Sequence, residues 1–301
     1  MNIKKTVLVT GALGQDGKIL SNILLKKRYR VIGLVNKFKK NRIKKVSYHK
    51  INLKNYNSIR KIIIKTKPSH IVHFGSKNPS FKQDKGFYKE NFISTKNIIK
   101  AIIETNKNTI FIFPNSSQIF LKKKLVNEND KFKISNSYTK FRVNIYKYLI
   151  NLKKVEKFKF CNLILFNHDS SLRDKRFLLP RIVKYVNSGN IKLLKKIYKE
   201  NIIGDFSHSE EICMAIYMII KKKLCIDKLI LSSGKKIKIN DIIKYLIKKY
   251  SNLKKIQTFV KKNNNFIIGN NNKAKKMLNW KIKKNIYSAV DEMMNLYDEN
   301  K

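Results

Sequence analysis

The sequence predicts an α/β fold in which a doubly wound parallel sheet is followed by a smaller C-terminal domain. Two observations lead to this prediction. In the first half of the chain, short apolar runs of strand length alternate with segments whose apolar residues recur at helical spacing. A glycine-rich turn also joins the first apolar run to the first helical segment. Strands that alternate with helices pair in parallel through right-handed crossovers, which builds a doubly wound sheet.

The predicted elements of the first half follow one another from the N-terminus. Apolar runs mark the strands, and Pro68 ends the second helix. We predict strands at residues 6–10, 29–35, 70–74, 109–113 and 160–166. We predict helices at residues 17–27, 59–66, 95–104 and 138–151.

The second half is less regular and is predicted to form the smaller, substrate-binding domain. We assign residues 1–166 to the first domain and 167–301 mainly to the second, with about 200–222 returning to the first. Asparagine-rich loops are expected at 263–265 and 270–272. Helices are predicted at 176–189, 210–222, 240–250 and 286–297, and a short strand at 229–232.

The composition describes a folded and strongly basic chain. It has 301 residues, 68 Lys and Arg, 19 Asp and Glu, and a net charge of +49. The hydrophobic fraction of 43% is enough for a sizeable core. Because lysine is spread along the whole length, we expect no nucleic-acid partner, although a basic nucleic-acid binder stays an alternative. Small anionic ligands would still be attracted.

The sequence indicates neither a membrane protein nor a metalloprotein. No window of about 18 uncharged apolar residues occurs, and the N-terminus lacks the pattern of a secretory signal. The three cysteines contain no CxxC pair. His70 and His73 are three residues apart on a strand and therefore face opposite ways. We expect a cytoplasmic protein with no membrane partner and no metal.

The turn after the first strand carries Gly11, Gly14 and Gly17 in a GxxGxxG pattern that encloses Gln15 and Asp16. The first glycine allows a tight turn, the second lets a pyrophosphate approach the backbone, and the third lets helix and strand pack closely. The helix N-terminus attracts the anion. The segment therefore predicts a dinucleotide site on a Rossmann-type sheet.

The end of the second strand indicates which dinucleotide binds. NAD-binding proteins place Asp or Glu there to bond the ribose 2′-hydroxyl. In this chain Asn36 is followed by Lys37, Lys39 and Lys40. Cations suit a 2′-phosphate, so the sequence predicts NADP, with Lys37 as a contact.

Three separate segments carry a family resemblance, namely residues 10–17, 165–170 and 272–280. Together they resemble the GDP-mannose 4,6-dehydratase family of the extended short-chain dehydrogenase/reductases. Thr10-Gly-Ala-Leu-Gly-Gln-Asp-Gly17 is similar to the family's glycine loop, and Leu165-Phe-Asn-His-Asp-Ser170 to its LFNHES segment. Asn272-Lys-Ala-Lys-Lys-Met-Leu-Asn-Trp280 resembles its TKAxxxLNW segment. The segments occur in the family's order and cover most of the chain.

The resemblance implies an activity. A member of the family binds GDP-mannose and NADP, and a tyrosine takes the C4 hydroxyl proton while hydride passes to the cofactor. A glutamate then takes the C5 proton, water leaves from C6, and hydride returns to C6. The product is a GDP-4-keto-6-deoxy sugar. The resemblance also implies a homo-oligomer.

The family's catalytic tyrosine and lysine are matched in part. Ser135-Asn-Ser-Tyr138 resembles the SPY segment, which makes Tyr138 the candidate base. The family's lysine, four residues later, is Arg142 here. Lys140 lies about 200° away around a helix and is expected to point elsewhere.

The segment after the fourth predicted strand shows the most serious departure from the family. Phe113-Pro-Asn-Ser-Ser-Gln118 resembles the STSE segment. Ser116 corresponds to the threonine that bonds the sugar, and Gln118 to the catalytic glutamate. An amide cannot take the C5 proton. Two alternatives therefore stay open, namely a 4-keto nucleotide-sugar reductase or epimerase, and a catalytically degenerate nucleotide-binding protein.

On the substrate side, Asn167 and His168 match the family's LFNHES segment. Asn167 is the expected contact to the sugar diphosphate. Arg181 falls at a basic position of the FVTRK stretch and is a candidate phosphate ligand. Gly204 stands where the family has an arginine that grips phosphate, and this loss weakens diphosphate binding unless another cation compensates.

Overall fold

The computed structural model describes residues 5–76, 86–121, 124–253, 256 and 258–298. The chain divides into two compact units. The first unit consists of Met1–Leu121, Lys131–Ile164 and Cys213–Leu229, and the second of Lys122–Asp130, Leu165–Ile212 and Ile230–Lys301. The segment that returns to the first unit is thus 213–229, somewhat later than the predicted 200–222. The roles of the units in binding cofactor and substrate stay predictions.

The strands and helices of the described residues alternate through most of the chain. In chain order the strands are β1 (Thr6–Thr10), β2 (Arg30–Val35), β3 (Ser47–Lys50), β4 (His70–His73), β5 (Ile110–Ser116), β6 (Leu125–Val126), β7 (Phe160–Leu165), β8 (Asn167–Asp169), β9 (Ile203–Gly204), β10 (Phe206–His208), β11 (Ile226–Leu231), β12 (Ile237–Lys238) and β13 (Ile268–Gly269). The helices are α1 (Gln15–Lys26), α2 (Tyr56–Thr66), α3 (Phe87–Thr105), α4 (Ser137–Glu156), α5 (Leu178–Asn187), α6 (Ile191–Lys199), α7 (Ser209–Lys222), α8 (Ile239–Tyr250), α9 (Asn272–Leu278) and α10 (Ile286–Asp298).

A seven-stranded sheet in the order β11-β7-β5-β4-β1-β2-β3 forms the centre of the fold. Strand β1 pairs in parallel with β2 on one side and with β4 on the other. The strand order therefore reverses next to β1, and such a reversal opens a crevice at the carboxyl ends of the strands. The predicted doubly wound parallel sheet is confirmed.

The core of the first unit lies between this sheet and helices α2, α3 and α4. It is rich in aromatic side chains, and Phe111, Phe113 and Phe141 are completely buried. The rings of Phe111 and Phe113 stack at 6.3 Å, and Phe141 meets Phe113 edge-on at 6.0 Å. These interlocking rings pack β5 against helix α4.

Helix α4 begins with a capping box. The Asn136 side chain accepts from the Thr139 amide, and the Thr139 hydroxyl accepts from the Asn136 amide. Both bonds satisfy amides that the first helical turn leaves without partners. The cap therefore fixes the start of the helix that carries Tyr138.

The second unit is built from helices and short ladders. Strand β8 pairs in parallel with β10, β6 pairs in parallel with β13, and β9 pairs antiparallel with β12. Helices α5, α6, α8 and α10 enclose an aliphatic core that includes Leu179, Ile243 and Val290. None of the helices in the described part of the chain has the length and apolar character needed to cross a bilayer.

Several elements of the described residues were not predicted from the sequence, including the short strands β6, β8, β9, β10, β12 and β13. Strand β3 was not predicted, because Ser47-Tyr-His-Lys50 has no apolar run and forms the partly exposed edge of the sheet. Helix α6 was not predicted either, although Leu194 and Ile197 face the core at helical spacing. Asn272 lies at the start of helix α9, where a polar loop was expected.

Candidate functional site

The turn between β1 and α1 has a conformation that requires glycine at its first position. Gly11 has φ +64°, which is the left-handed region that L side chains rarely adopt. A Cβ atom there would lie 2.9 Å from the carbonyl carbon of Phe74 and 3.0 Å from the amide nitrogen of Gly75. The backbone that follows β1 therefore touches the backbone that follows β4, with no room for a side chain.

The third glycine of the loop brings helix α1 against the turn. A Cβ at Gly17 would lie 2.4 Å from the Gly11 carbonyl oxygen and 2.7 Å from Cα of Ala12. Gly14 forms the N-cap of α1 and has no side chain to bond the amides of the first turn. The helix N-terminus thus lies close to bare backbone, which is the arrangement that attracts a phosphate.

Gln15 and Asp16 occupy the first turn of α1, as their place in the glycine loop requires. The Gln15 amide donates to the Asp16 carboxylate at 3.0 Å. The Cys213 thiol lies 3.6 Å from the Asp16 carbonyl oxygen and donates to it. Both contacts hold the first turn of the helix in place.

A cavity of about 450 Å³ opens beside the glycine turn, at the carboxyl ends of β2, β3 and β4. A ligand was expected at these strand ends in general, but the lining residues of the cavity were not predicted as site residues. The Lys54 ammonium, on its wall, pairs with Glu90 at 3.3 Å. Lys37 follows the lining residue Asn36 directly and is exposed. The cavity is lined by Asn36, Lys50, Asn52, Leu53, Lys54, Gly75, Glu90, Asn91 and Ser94.

Tyr138 and Arg142 lie side by side on α4. The guanidinium carbon of Arg142 is 5.1 Å from the centre of the Tyr138 ring, and it also lies over the rings of Phe113 and Phe141, at 5.3 and 5.2 Å. Its Nη1 donates to the Pro114 carbonyl. Arg142 is therefore a cation packed among aromatic faces at the end of β5.

Two further features describe the surroundings of this pair. The Arg142 Nε atom is buried, and no hydrogen-bond partner for it exists among the described residues. The Lys140 ammonium lies 5.5 Å from the centre of the Tyr88 ring. Lys140 thus occupies different surroundings from Arg142, as its angular position on the helix predicts.

Ser116 ends β5, and Gln118 lies in the 3₁₀ turn Ser117–Ile119 that follows. The Ser116 hydroxyl accepts from the Gln118 amide at 3.3 Å, and the Ser116 amide donates to the Asn115 side chain at 2.8 Å. Asn115 is buried and donates to Asn162 at 2.9 Å. The backbone at Ser116 is therefore held from two sides, whereas the Gln118 side chain is exposed.

In the second unit, Asn167 and His168 lie on the short strand β8. The Asn167 amide donates to the Asp205 carbonyl at 3.2 Å, and His168 Nδ1 donates to the Phe166 carbonyl at 2.6 Å. A Cβ at Gly204 would lie 3.6 Å from the Asn167 amide nitrogen. The structure therefore brings Asn167 and Gly204 together, and their assignment to a ligand stays a prediction.

Arg181 lies on α5, and its residue is exposed. Its guanidinium carbon is 5.9 Å from the centre of the Tyr185 ring on the same helix. Its assignment as a phosphate ligand stays a prediction.

Asp205 is a residue that the sequence analysis did not select, and it organises the second unit around Gly204. It is fully buried, and its two carboxylate oxygens accept from the amide and hydroxyl of Ser233 and from the amides of Gly234 and Gly269 at 2.6–3.2 Å. Burial raises the pKa of the Asp205 carboxyl, and these hydrogen bonds oppose that rise. The sequence feature that could have identified Asp205 is its position directly after Gly204.

The two histidines of β4 have separate surroundings. His73 contacts Thr10 and Thr95, whereas His70 contacts Ser69. In the described part of the chain, no group of three or more His, Cys, Asp or Glu side chains is arranged to hold a metal ion.

The chain matches the family described as GDP-mannose 4,6 dehydratase over residues 8–293. The GDP-mannose 4,6 dehydratase of Dictyostelium discoideum is 23% identical over 339 aligned positions, which cover 97% of this chain and 95% of the relative. The match therefore extends over both units.

Solved structures share the fold at low sequence identity. A UDP-glucose 4-epimerase from Brucella ovis in complex with NAD superimposes with a TM-score of 0.85 at 14% identity, covering 97% of this chain and 98% of the epimerase. A dTDP-glucose 4,6-dehydratase from Bacillus anthracis in complex with NAD gives 0.84 at 16% identity, covering 99% and 97%. At such identities the likeness establishes the fold.

Proposed function

Because the chain belongs to the GDP-mannose 4,6-dehydratase family, we propose that it is an enzyme that binds NADP and acts on a nucleotide sugar. The observation that carries the proposal is the turn between β1 and α1. Gly11 adopts a left-handed conformation, and a Cβ at Gly17 would lie 2.4 Å from the Gly11 oxygen. This close-packed turn leaves bare backbone at a helix N-terminus, where a pyrophosphate binds.

The residues around the turn fit a dinucleotide. The adjoining cavity of about 450 Å³ is lined by amide side chains and lysines, which can bond a ribose and an adenine. The end of β2 carries Asn36 followed by Lys37, Lys39 and Lys40, with no carboxylate to repel a 2′-phosphate. The charge at this strand end therefore supports NADP over NAD.

Tyr138, Ser116 and Arg142 are the proposed reactive residues of the first unit. Tyr138 takes the proton of the sugar C4 hydroxyl as hydride leaves C4, and Ser116 bonds the same hydroxyl. Arg142 supplies a fixed positive charge beside the Tyr138 ring. A bound nicotinamide supplies the hydride acceptor. Arginine does not act as a proton relay, because its guanidinium stays protonated.

Asn167, His168 and Arg181 of the second unit are the proposed contacts to the nucleotide sugar. Asn167 lies beside Gly204, where the missing arginine leaves the phosphates with fewer cations. We propose GDP-mannose as substrate and 4,6-dehydration as the reaction, with loss of water from C6. Gln118 favours a second candidate, a 4-keto nucleotide-sugar reductase or epimerase, because neither reaction needs a base at C5.

The deciding experiment is incubation of the purified full chain with GDP-mannose and NADP, followed by mass analysis of the nucleotide sugar. Loss of one water, abolished in Tyr138→Phe, supports dehydration. An unchanged mass together with stoichiometric NADPH oxidation by a 4-keto sugar nucleotide supports the reductase. NADP binding without either reaction indicates a degenerate binding protein, and absence of dinucleotide binding overturns the proposal.

A further inference from the structure

His73, the last residue of β4, connects three segments near the candidate dinucleotide site. It is 1% exposed and lies opposite Thr10 in the register of β1 and β4. Its Nδ1 atom is 2.8 Å from the Thr10 hydroxyl, and its Nε2 atom is 3.1 Å from the Thr95 hydroxyl on α3. Both ring nitrogens therefore have partners on different elements.

The directions of these hydrogen bonds follow from their neighbours. The Thr95 hydroxyl donates to the Asn91 carbonyl at 2.7 Å, so it can only accept from His73. His73 Nε2 therefore carries the proton, and Nδ1 accepts from the Thr10 hydroxyl. The Thr10 oxygen in turn accepts from the Gly75 amide at 2.9 Å. A single tautomer of His73 thus satisfies every hydrogen bond in the series that runs from the Gly75 amide to the Asn91 carbonyl.

The surroundings keep this ring neutral and immobile. Burial, with a smaller contribution from the Arg142 charge, lowers the pKa of His73 to about 3. The ring stacks on Phe113 at 6.4 Å with an interplanar angle of 22°, and it lies 6.1 Å from Phe111. A neutral imidazole is one of the few side chains that can accept on one side and donate on the other at a fixed separation.

The segments joined by His73 are the walls of the dinucleotide cavity. Gly75 and Asn91 both line it. Thr10 precedes Gly11, whose Cβ would lie 3.0 Å from the Gly75 amide nitrogen. The His73 chain of bonds therefore fixes the spacing between the glycine turn, the segment after β4 and helix α3.

We propose that His73 is a positioning residue for the dinucleotide, acting through Thr10 and Thr95 to hold the cavity open in the shape that the cofactor fits. The inference rests on the proposed function, because it takes the cavity to be the dinucleotide site. A cavity that is already shaped loses less conformational freedom on binding, which increases affinity. The residue itself touches no cofactor in this proposal.

The test compares His73→Phe with His70→Phe in the full chain. Both histidines are 1% exposed and lie on the same strand, but His70 contacts Ser69 and does not join the cavity walls. NADPH binding is measured by the change in NADPH fluorescence, and folding by circular dichroism. We expect His73→Phe to raise the Kd for NADPH about tenfold or more, because the two hydrogen bonds that hold the cavity walls at a fixed spacing are lost. We expect His70→Phe to leave the Kd within about twofold.

Two further variants and a spectrum keep the inference falsifiable if His73→Phe does not fold. Thr10→Val and Thr95→Val each break one arm of the chain of bonds and are expected to raise the Kd. ¹⁵N NMR of the wild type is expected to show His73 protonated on Nε2. The inference would be overturned if His73→Phe, or both threonine variants, bound NADPH with unchanged affinity. It would also be overturned if His70→Phe weakened binding equally, or if the proton of His73 were on Nδ1. A wild-type chain that binds no NADPH would instead overturn the proposed function.

Discussion

Gln118 is the residue at which the proposed chemistry depends on a single atom. Its exposed amide follows Ser116 in the 3₁₀ turn after β5. Gln118→Glu replaces the amide by a carboxylate of similar shape that can take a proton. We expect the rate of water loss from GDP-mannose to rise about 100-fold, the usual contribution of a positioned base. Mass analysis of the nucleotide sugar measures this rate.

Gln118→Asp is the matched control, because it adds the charge on a shorter side chain. If both acidic variants leave the rate of water loss unchanged, Gln118 is not at the position of the C5 base. A 4-keto nucleotide-sugar reductase, or a catalytically degenerate nucleotide-binding protein, would then be the preferred function.

Gly204 can be tested by restoring a cation in the second unit. A Cβ there meets Phe206 Cε2 at 3.2 Å and Asn167 Nδ2 at 3.6 Å, so a Cβ is accommodated if the Phe206 ring shifts by a few tenths of an ångström. We expect Gly204→Arg to tighten GDP binding about tenfold, which corresponds to one charge-assisted hydrogen bond. Isothermal titration calorimetry measures the Kd. Gly204→Met, with a similar length and no charge, is expected to bind GDP no better than wild type, and an equal gain in both variants would contradict the electrostatic reason.

At the scale of the element, the contact between α1 and its preceding turn is the most sensitive in the first unit. Gly17→Ala gains about 1 kcal/mol in helix propensity, but its Cβ would lie 2.4 Å from a backbone oxygen that cannot move aside. We therefore expect a net loss of about 2 kcal/mol in the free energy of unfolding. We also expect weaker NADPH binding. Urea denaturation and NADPH fluorescence check these two outcomes.

Gly14→Ala is the control for this element. Its Cβ would lie 3.3 Å from the Gly11 oxygen, and its φ of −75° suits alanine. The change is expected to cost less than half as much stability as Gly17→Ala. If both variants lost the same free energy of unfolding, the loss would come from reduced loop flexibility and not from the close approach of α1 to the turn.

The sequence allowed the central elements to be predicted because their burial is expressed in their composition. β1 is five buried residues in an apolar run, and the glycine spacing identified the turn that follows. β3 escaped prediction because an edge strand needs no apolar run. β8 and β10 have only three residues each, too few for a periodicity to appear.

The site could be predicted only where one segment carries it. The glycine turn and the sequence around Tyr138 are each contiguous. The cavity wall instead combines Asn36, Asn52 and Gly75, which come from three separate connections, with Asn91 of helix α3. The role of His73 depends on partners 22 and 63 residues away in sequence, a relation that no local pattern contains.

At the scale of the whole molecule, two buried histidines make stability depend on pH. Burial lowers the pKa of His70 to about 4 and that of His73 to about 3, both below the ordinary value of 6.5. Below pH 6.5 the two histidines are protonated in the unfolded chain but stay neutral in the folded chain. Proton binding therefore favours the unfolded state, and the free energy of unfolding decreases as the pH falls below 6.5. We expect His70→Phe to reduce the slope of unfolding free energy against pH between 6 and 4.5 by about 1 kcal/mol per pH unit. Urea denaturation at several pH values measures this slope, and parallel slopes would contradict the assignment.

The net charge of +49 leads to a prediction about salt. Residues 17–83 contain 19 Lys and Arg and no Asp or Glu, so much of the first unit has no acidic neighbours in sequence. Mutual repulsion of these cations destabilises the folded state and is screened by ions. We expect the melting temperature to rise by several degrees between about 0.05 and 0.5 M NaCl, measured by calorimetry. A melting temperature that stays constant or falls would show that local ion pairs outweigh the repulsion.

The path of the chain between the two units limits how the protein can be dissected. Residues 213–229 return to the first unit and supply the first four residues, 226–229, of β11, the outer strand beside β7. A fragment that stops at residue 166 would lack that strand and expose the backbone groups of β7, which invites aggregation. Neither half can therefore be expressed as a simple truncation, and any separate study of the first unit requires a spliced gene that joins 213–229 to its end.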